Sequence, residues 1–430
     1  MEVAALFFMI VAMLLIGTPI AVALGLSSIT FLLVLSDTSL ASIAQTFFQA
    51  MAGHYTLLAI PFFILASSFM STGGVAKRII RFSIAIVGHF PGGLAIAGVF
   101  ACMLFAALSG SSPATVVAIG TIVIAGMRQV GYSKDFAAGV IANAGTLGIL
   151  IPPSIVMIVY GVLAEVSIAR LFAAGVLPGM MIAALYSGYV MIVSLIDPNV
   201  APPDREKPGL KDALIGFLNL IPIALLIFIV LGSIYSGIAT PSEAAAVGVV
   251  ATLIMIILTR QMTKDVFFDT LVSAVHTSCM IAVILIAAAF LSTAMGFLHV
   301  PQDVAKAIGA LNLSPSGLIV ILAVFYVLLG MFLEGISITV MSLPITLPLI
   351  LAAGFDPIWF GVFLVIMVEL AQITPPIGFN LFIIQGLTGT PIMKVALAAV
   401  PFFMLMCIGV VLLTLFPEIA LWLPNSLFDK

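Results

Sequence analysis

Charge is too scarce along this chain to coat a surface in water. Aspartate, glutamate, lysine and arginine make up 7% of its 430 residues, and hydrophobic residues make up 63%. A soluble domain carries roughly a quarter charged residues. Such a chain must fold in a solvent that asks for no charged coat, which is a lipid bilayer. A soluble enzyme, a nucleic-acid binder and a disordered protein are excluded on this ground. At ~20 residues per helical crossing, the length holds about a dozen helical segments. The expected fold class is an all-α polytopic membrane protein.

The net charge of −3 and pI of about 5.7 offer no basic face to nucleic acid. Cys102, Cys279 and Cys407 sit inside apolar runs and read as small buried hydrophobes. The histidines His54, His89, His276 and His299 lack zinc-ligand spacing and are read as interfacial. No Gly-Lys-Ser/Thr loop is present, so energy from ATP would have to enter through another chain. Met1 to Gly17 is apolar without the basic start of a signal peptide, and reads as a retained membrane helix.

Asp197 to Asp212, rich in proline and mixed charge, reads as a linker between two halves, 1–196 and 213–430. Short motifs recur across it in the same order: Thr18-Pro19 with Thr240-Pro241, Ser71-Thr72 with Ser292-Thr293, Val75-Ala76-Lys77 with Val304-Ala305-Lys306, Ser109-Gly110 with Glu334-Gly335, Pro152-Pro153 with Pro375-Pro376. The separations are all about 221–229 residues, which argues for an internal duplication of the kind transporters carry.

Positive charge suggests orientation. Loops carrying Lys77, Arg78 and Arg81, and then Arg128 and Lys134, both read as cytoplasmic. The segment between them, about 90–127, must then enter and return as a re-entrant hairpin with Ser109 to Pro113 at its tip. Arg260 and Lys264 mark a cytoplasmic loop whose first-half equivalent holds only Asp37, and the loop near Asp356 lacks the basic residues of its equivalent. Opposite charge at equivalent loops predicts inverted repeats. A second hairpin is then expected at about 315–353, and broken helices at about 137–163 and 357–387. The count is about ten crossings plus two hairpins, provided that Glu2 to Leu15 crosses separately from Ile20 to Leu35.

Irregular backbone at membrane depth must be buried in protein or line a polar cavity. Four breaks fall inside apolar runs: the tips Ser109–Pro113 and Glu334–Thr339, and the segments Asn143–Pro153 and Glu369–Pro376. Proline and glycine free carbonyls there, which suits a partly dehydrated cation such as sodium, and exposed half-helix N-termini suit a carboxylate. Each feature alone has a plainer reading, in close packing or a kink; their pairing in both halves points to a transporter centre. Glu334 and Glu369 are carboxylates in apolar segments, read either as proton-coupling groups or as hydrogen-bond partners of freed backbone. Glu243 after Thr240-Pro241 reads as a helix cap. Phe62, Phe63 and Phe69 read as packing, and Glu165 and Arg170 as interfacial. No nucleophile–base arrangement is visible, which argues against an intramembrane enzyme.

The runs Ile60-Pro61-Phe62-Phe63, Leu108 to Thr115, Gly148 to Ser154 and Gln372 to Asn380 resemble the large (DctM/SiaM-like) membrane subunit of tripartite ATP-independent periplasmic (TRAP) transporters, over nearly the whole chain. The resemblance implies an elevator-type fold of the ion transporter superfamily, in a bacterial inner membrane. It implies two partners, a small four-helix membrane subunit and a periplasmic substrate-binding protein. It implies sodium-coupled import of organic acids, C4-dicarboxylates or sialic acid, with Na+ (two ions or more) as the coupling ion and no organic cofactor. By motif, one sodium site would use Ser109, Ser112, Asn143, Gly145 and Gly148; the other would use Gly335, Ser337, Thr339, Gln372 and Thr374. Substrate would sit near Ser111, Pro153 and Pro376. The tips lack the Asn of the related divalent-anion symporters.

Overall fold

The computed structural model describes residues 2–35, 45, 48, 58–72, 74–202, 210–297, 314–376 and 378–429. Asp37, His54, His299 and the Val304–Lys306 motif lie outside them, as does the middle of the polar linker. Among the described residues all regular structure is helical.

The first half runs α1 (Glu2–Leu15), α2 (Ile20–Leu35), α3 (Ala59–Thr72), α4 (Val75–Val87), α5 (Gly93–Ser109), α6 (Ser112–Val130), α7 (Lys134–Ala144), a 3-10 turn (Gly145–Ile149), α8 (Ile155–Leu163) and α9 (Ile168–Ile196). The second runs α10 (Leu210–Tyr235), α11 (Pro241–Leu258), α12 (Lys264–Phe297), α13 (Pro315–Gly330), α14 (Gly335–Ala352), α15 (Pro357–Gln372), α16 (Phe379–Thr388), α17 (Ile392–Leu415) and α18 (Glu418–Phe428). Helix α10 begins at Leu210, inside the stretch read as linker.

Local chemistry sets the starts of these helices. Thr240 and Glu243 form a reciprocal capping box on α11, with Thr240 N donating to Glu243 Oε2 at 2.8 Å and Glu243 N donating to Thr240 Oγ1 at 3.3 Å. Asp356 caps α15 by accepting from Ile358 N at 2.7 Å and Trp359 N at 3.1 Å. The basic trio Lys77, Arg78 and Arg81 lies on a helix, not in a loop as the charge pattern had implied. Val75, Ala76, Ile79, Ile80 and Phe82 recur at helical spacing and are buried on the other face of α4. This amphipathic segment turns 72° away from α3 and packs on α5 and α10.

Packing between the halves is reciprocal. Helix α2 lies on α12, and α11 lies on α3. Helix α9 lies on α15, and α17 lies on α7. Helix α8 meets α14, and α16 meets α6. Each contact is matched by the one obtained when the halves exchange roles.

Seven described helices are long and apolar enough to cross a bilayer, or eight if the bent α3–α4 pair is one span. The hairpin arm α5, the arm α13 and both parts of the second broken helix are shorter. Helix α1, with 14 residues, reaches about 21 Å against a hydrocarbon core of ~30 Å. Exposed large apolar side chains such as Leu214, Leu218, Leu225 and Phe228 on α10 suit lipid contact.

Candidate functional site

The first break in an apolar run is the turn between α5 and α6. Gly110 closes α5 with φ 59°, the left-handed region that glycine enters without strain. Ser111, extended at φ −140°, caps α6 and accepts from Ala114 N at 3.5 Å. Thr115 Oγ1 donates to Ser111 O at 2.9 Å, and Ser109 Oγ lies 2.9 Å from Thr115 Oγ1. With Thr115's proton on that carbonyl, Ser109 is the donor of the second contact.

The 3-10 turn of the first broken helix sits on this tip. A Cβ on Gly148 would lie 2.7 Å from both Ser111 O and Thr115 Oγ1, so only glycine lets the two backbones meet there. Pro153 O is equally close to Gly110, at 2.6 Å from where its Cβ would be. Both proline pairs, Pro152-Pro153 and Pro375-Pro376, are cis. Asn143, buried at the end of α7, donates through Nδ2 to Gly139 O at 2.7 Å. Its Oδ1 has no hydrogen-bond partner among the described residues.

The second tip joins α13 to α14. Glu334 caps α14: Oε2 accepts from Ile336 N at 3.2 Å, and Oε1 accepts from Ser337 N at 3.1 Å and Ser337 Oγ at 2.9 Å. Thr339 Oγ1 donates to Gly335 O at 2.9 Å. Gly335 faces the second broken helix; its Cβ would lie 2.5 Å from Val368 Cγ1 and 3.4 Å from Gln372 Nε2. Thr374 Oγ1 donates to Leu370 O at 2.6 Å. Gln372 is buried, and its Oε1 has no partner among the described residues.

The structure brings Gly148 onto the tip that holds Ser109 and Ser112, with Asn143 and Gly145 in the adjoining break, and Gln372 onto the tip that holds Gly335, Ser337 and Thr339, with Thr374 in the adjoining break. Several hydroxyls give their protons to backbone carbonyls and keep oxygen lone pairs free. Ser112 also makes a bond across the halves that the sequence did not announce. It pairs with Asn380 of α16, donating to Oδ1 at 3.1 Å and accepting from Nδ2 at 2.7 Å. Asn380 Nδ2 also lies 3.2 Å from Ala142 O. Asn380 thus ties the first tip, the first broken helix and the second broken helix together. Sequence reasoning gave it no role; its signal was an amide in the first turn of the apolar helix α16. Thr115, which completes the first tip, was also missed. Ser111 is half-buried, Pro153 buried and Pro376 exposed.

Two of the aromatics pack, Phe63 meeting Phe172 edge-on at 6.3 Å and Phe69 stacking on Phe267 at 5.9 Å, whereas Phe62 is exposed. Arg170 pairs with Asp429 at a helix end, and Glu165 is exposed.

Helices broken inside apolar runs, with buried polar groups gathered at the breaks, define a polytopic membrane protein built around its discontinuities. The fold is similar to the crystal structure of the Alcanivorax borkumensis YdaH transporter, with TM-score 0.67, 14% identity and 91% of each chain covered. Residues 7–419 match the family described as tripartite ATP-independent periplasmic transporter, DctM component. A C4-dicarboxylate TRAP transporter large permease protein of Vibrio cholerae is 46% identical over 99% of this chain and 98% of its own length. An isethionate TRAP transporter permease protein, DctMQ, of Oleidesulfovibrio alaskensis is 34% identical over 95% of this chain and 64% of its own length. The chain belongs to the DctM family of TRAP transporter large permease subunits, which are transporter components and not enzymes.

Proposed function

We propose that this chain is the translocation subunit of a sodium-coupled importer of organic acids in the bacterial inner membrane. One observation carries the sodium reading. At each break, beside each tip, a buried amide oxygen has no donor among the described residues: Asn143 Oδ1 in the first half and Gln372 Oε1 in the second. A hard cation is bound by oxygens of this kind, and the hydroxyls of Thr115, Thr146, Thr339 and Thr374 have already given their protons to backbone carbonyls. Asn143 with the Ser109 tip, and Gln372 with Thr339 and Thr374, are the residues present to hold such ions.

The Vibrio cholerae relative is named for C4-dicarboxylates, which favours that substrate class here over sialic acid. Substrate would lie between the tips near Ser111 and Pro153, against the exposed N-terminus of α6. Partners are a separate small membrane subunit and a periplasmic binding protein; the length of the DctMQ relative beyond this chain fits a fused small subunit. Reciprocal packing of the halves supports inverted repeats and an elevator movement of the hairpins and broken helices.

The test is thermal unfolding of the purified transporter in sodium against choline at equal ionic strength. Sodium at about 100 times its Kd should stabilise by ~2.7 kcal/mol per site, saturably. Asn143→Ala and Gln372→Ala should each remove part of that rise. An identical melting temperature in both salts at every concentration counts against sodium coupling.

A further inference from the structure

Glu369 is the carboxyl that the two tips do not use. It lies in α15, 0% exposed, and neither Oε1 nor Oε2 has a hydrogen-bond partner among the described residues. Thr146 of the 3-10 turn and Tyr186 of α9 face it. Thr146 Oγ1 gives its single proton to Asn143 O at 2.8 Å, so toward Glu369 it presents lone pairs alone. The Tyr186 hydroxyl is buried and has no hydrogen-bond partner among the described residues.

The other helices packed on α15 bring no counter-charge. Cys407 of α17 lies near Tyr186 and is a neutral thiol, not a cation. Tyr326 of α13 is engaged with Thr346 and Ser342 of α14, and Tyr160 of α8 donates to Pro357 O. Glu334 is occupied as the cap of α14. Arg170 of α9 pairs with Asp429, while Lys394 of α17 and Glu418 of α18 are exposed at helix ends. In this arrangement, with the Thr146 proton on Asn143 O and the Tyr186 hydroxyl unbonded, neither a donor nor a cation among the described residues holds an ionised carboxylate at Glu369. The neutral acid has an O–H to give and the Thr146 oxygen to receive it.

We propose that Glu369, Thr146 and Tyr186 form a proton-binding site, separate from the two tips, in which the carboxyl is neutral whenever α15 packs on the 3-10 turn and α9. The proton on Glu369 is donated to Thr146 Oγ1, whose own proton holds Asn143 O. Protonation at the second broken helix is in this way tied to the backbone of the first. Loss of the proton places a bare charge between the two and loosens their packing, so the closed arrangement is favoured at low pH and lost as pH rises. The transport readout below rests on the proposed import activity; the spectroscopic one does not.

The experiment is uptake by the assembled transporter in proteoliposomes under a fixed sodium gradient, from about pH 7 upward, where simple carboxylates are already ionised. Wild-type uptake should fall on the alkaline side with a limiting slope of about tenfold per pH unit, as one proton requires. Glu369→Gln, which mimics the neutral acid, should transport and lack that fall. Thr146→Val, which removes the acceptor, should move the fall to lower pH. Independently, the infrared band of a buried protonated carboxyl should be present in wild type at neutral pH and missing from Glu369→Gln. The proposal is overturned by any of three results: the same alkaline fall in Glu369→Gln, a folded but inactive Glu369→Gln, or an infrared spectrum unchanged by that substitution. Should Glu369→Gln fail to fold, Thr146→Val decides, since an unmoved alkaline limb overturns the coupling.

Discussion

Glu334 and Glu369 are indistinguishable by sequence, since each is a lone carboxylate in an apolar run. Their surroundings separate them. Both oxygens of Glu334 accept from the first turn of α14, including two backbone N–H groups that would otherwise be orphaned. Glu369 lies in the last turn of α15, where backbone N–H groups are already committed to the helix. Glu334→Ala should therefore cost about 1–2 kcal/mol of stability, as loss of a cap does, and Glu334→Asp should recover part of it. Thermal unfolding of the two variants checks this; an Ala variant as stable as wild type would refute the capping role. At the same scale, Gly148→Ala puts a methyl against Ser111 O and Thr115 Oγ1, two atoms with little room to move. It should destabilise by about 1–3 kcal/mol, in the range of overpacking, and should weaken sodium stabilisation in the thermal assay more than Gly126→Ala, whose Cβ would meet only Leu94 Cδ2 at 3.7 Å.

At the scale of elements, glycine, serine and proline inside apolar runs made both tips and both breaks readable in advance, because each residue removes or redirects a helical hydrogen bond. The helix edges fall close to the positions read from sequence: α6 continues to Val130, and α7 begins at Lys134. Contacts across the halves were not readable. Ser112 and Asn380 are far apart in the chain, and nothing in either run names the other; only the fold brings α16 onto α6. Basic residues misled for a related reason. Charge reports the side of the membrane but not the backbone conformation, so α4 was read as a loop. The bridge made by Asn380 is open to test. Asn380→Leu leaves the Ser112 hydroxyl and the Ala142 carbonyl to find new partners, a change of about 1–3 kcal/mol for buried groups. If the amide joins the tip to both broken helices, the same variant should also shift the sodium dependence of unfolding. A stability loss with an unchanged sodium response would mean that Asn380 is only a packing bridge.

For the molecule as a whole, the reciprocal contacts sort the helices into two groups. The α2–α12 and α3–α11 pairs form one cross-braced unit. The hairpins, the broken helices, α9 and α17 form the other, held by α9 on α15 and α17 on α7. Helix α12 meets α14 along the boundary between the groups, where a cavity of about 300 Å³ is lined by Ala288, Ser292 and Gly296 on one side and by Val340, Leu343 and Pro344 on the other. Small residues and incomplete filling are what a sliding surface needs, since interlocked side chains would resist translation. Pro344 and Pro348 add to this, because neither donates to the turn before it. If the second group moves against the first, fixing this boundary should stop transport without unfolding either group. Cysteines at Ser292 and Leu343, in a chain whose Cys102, Cys279 and Cys407 are replaced, can be joined by a short thiol cross-linker. Cross-linking should abolish uptake in proteoliposomes while leaving the sodium-dependent melting shift in place, because the tips and breaks all lie within the second group. Uptake that survives complete cross-linking would show that α12 and α14 keep their relation throughout the cycle and that the boundary of motion lies elsewhere.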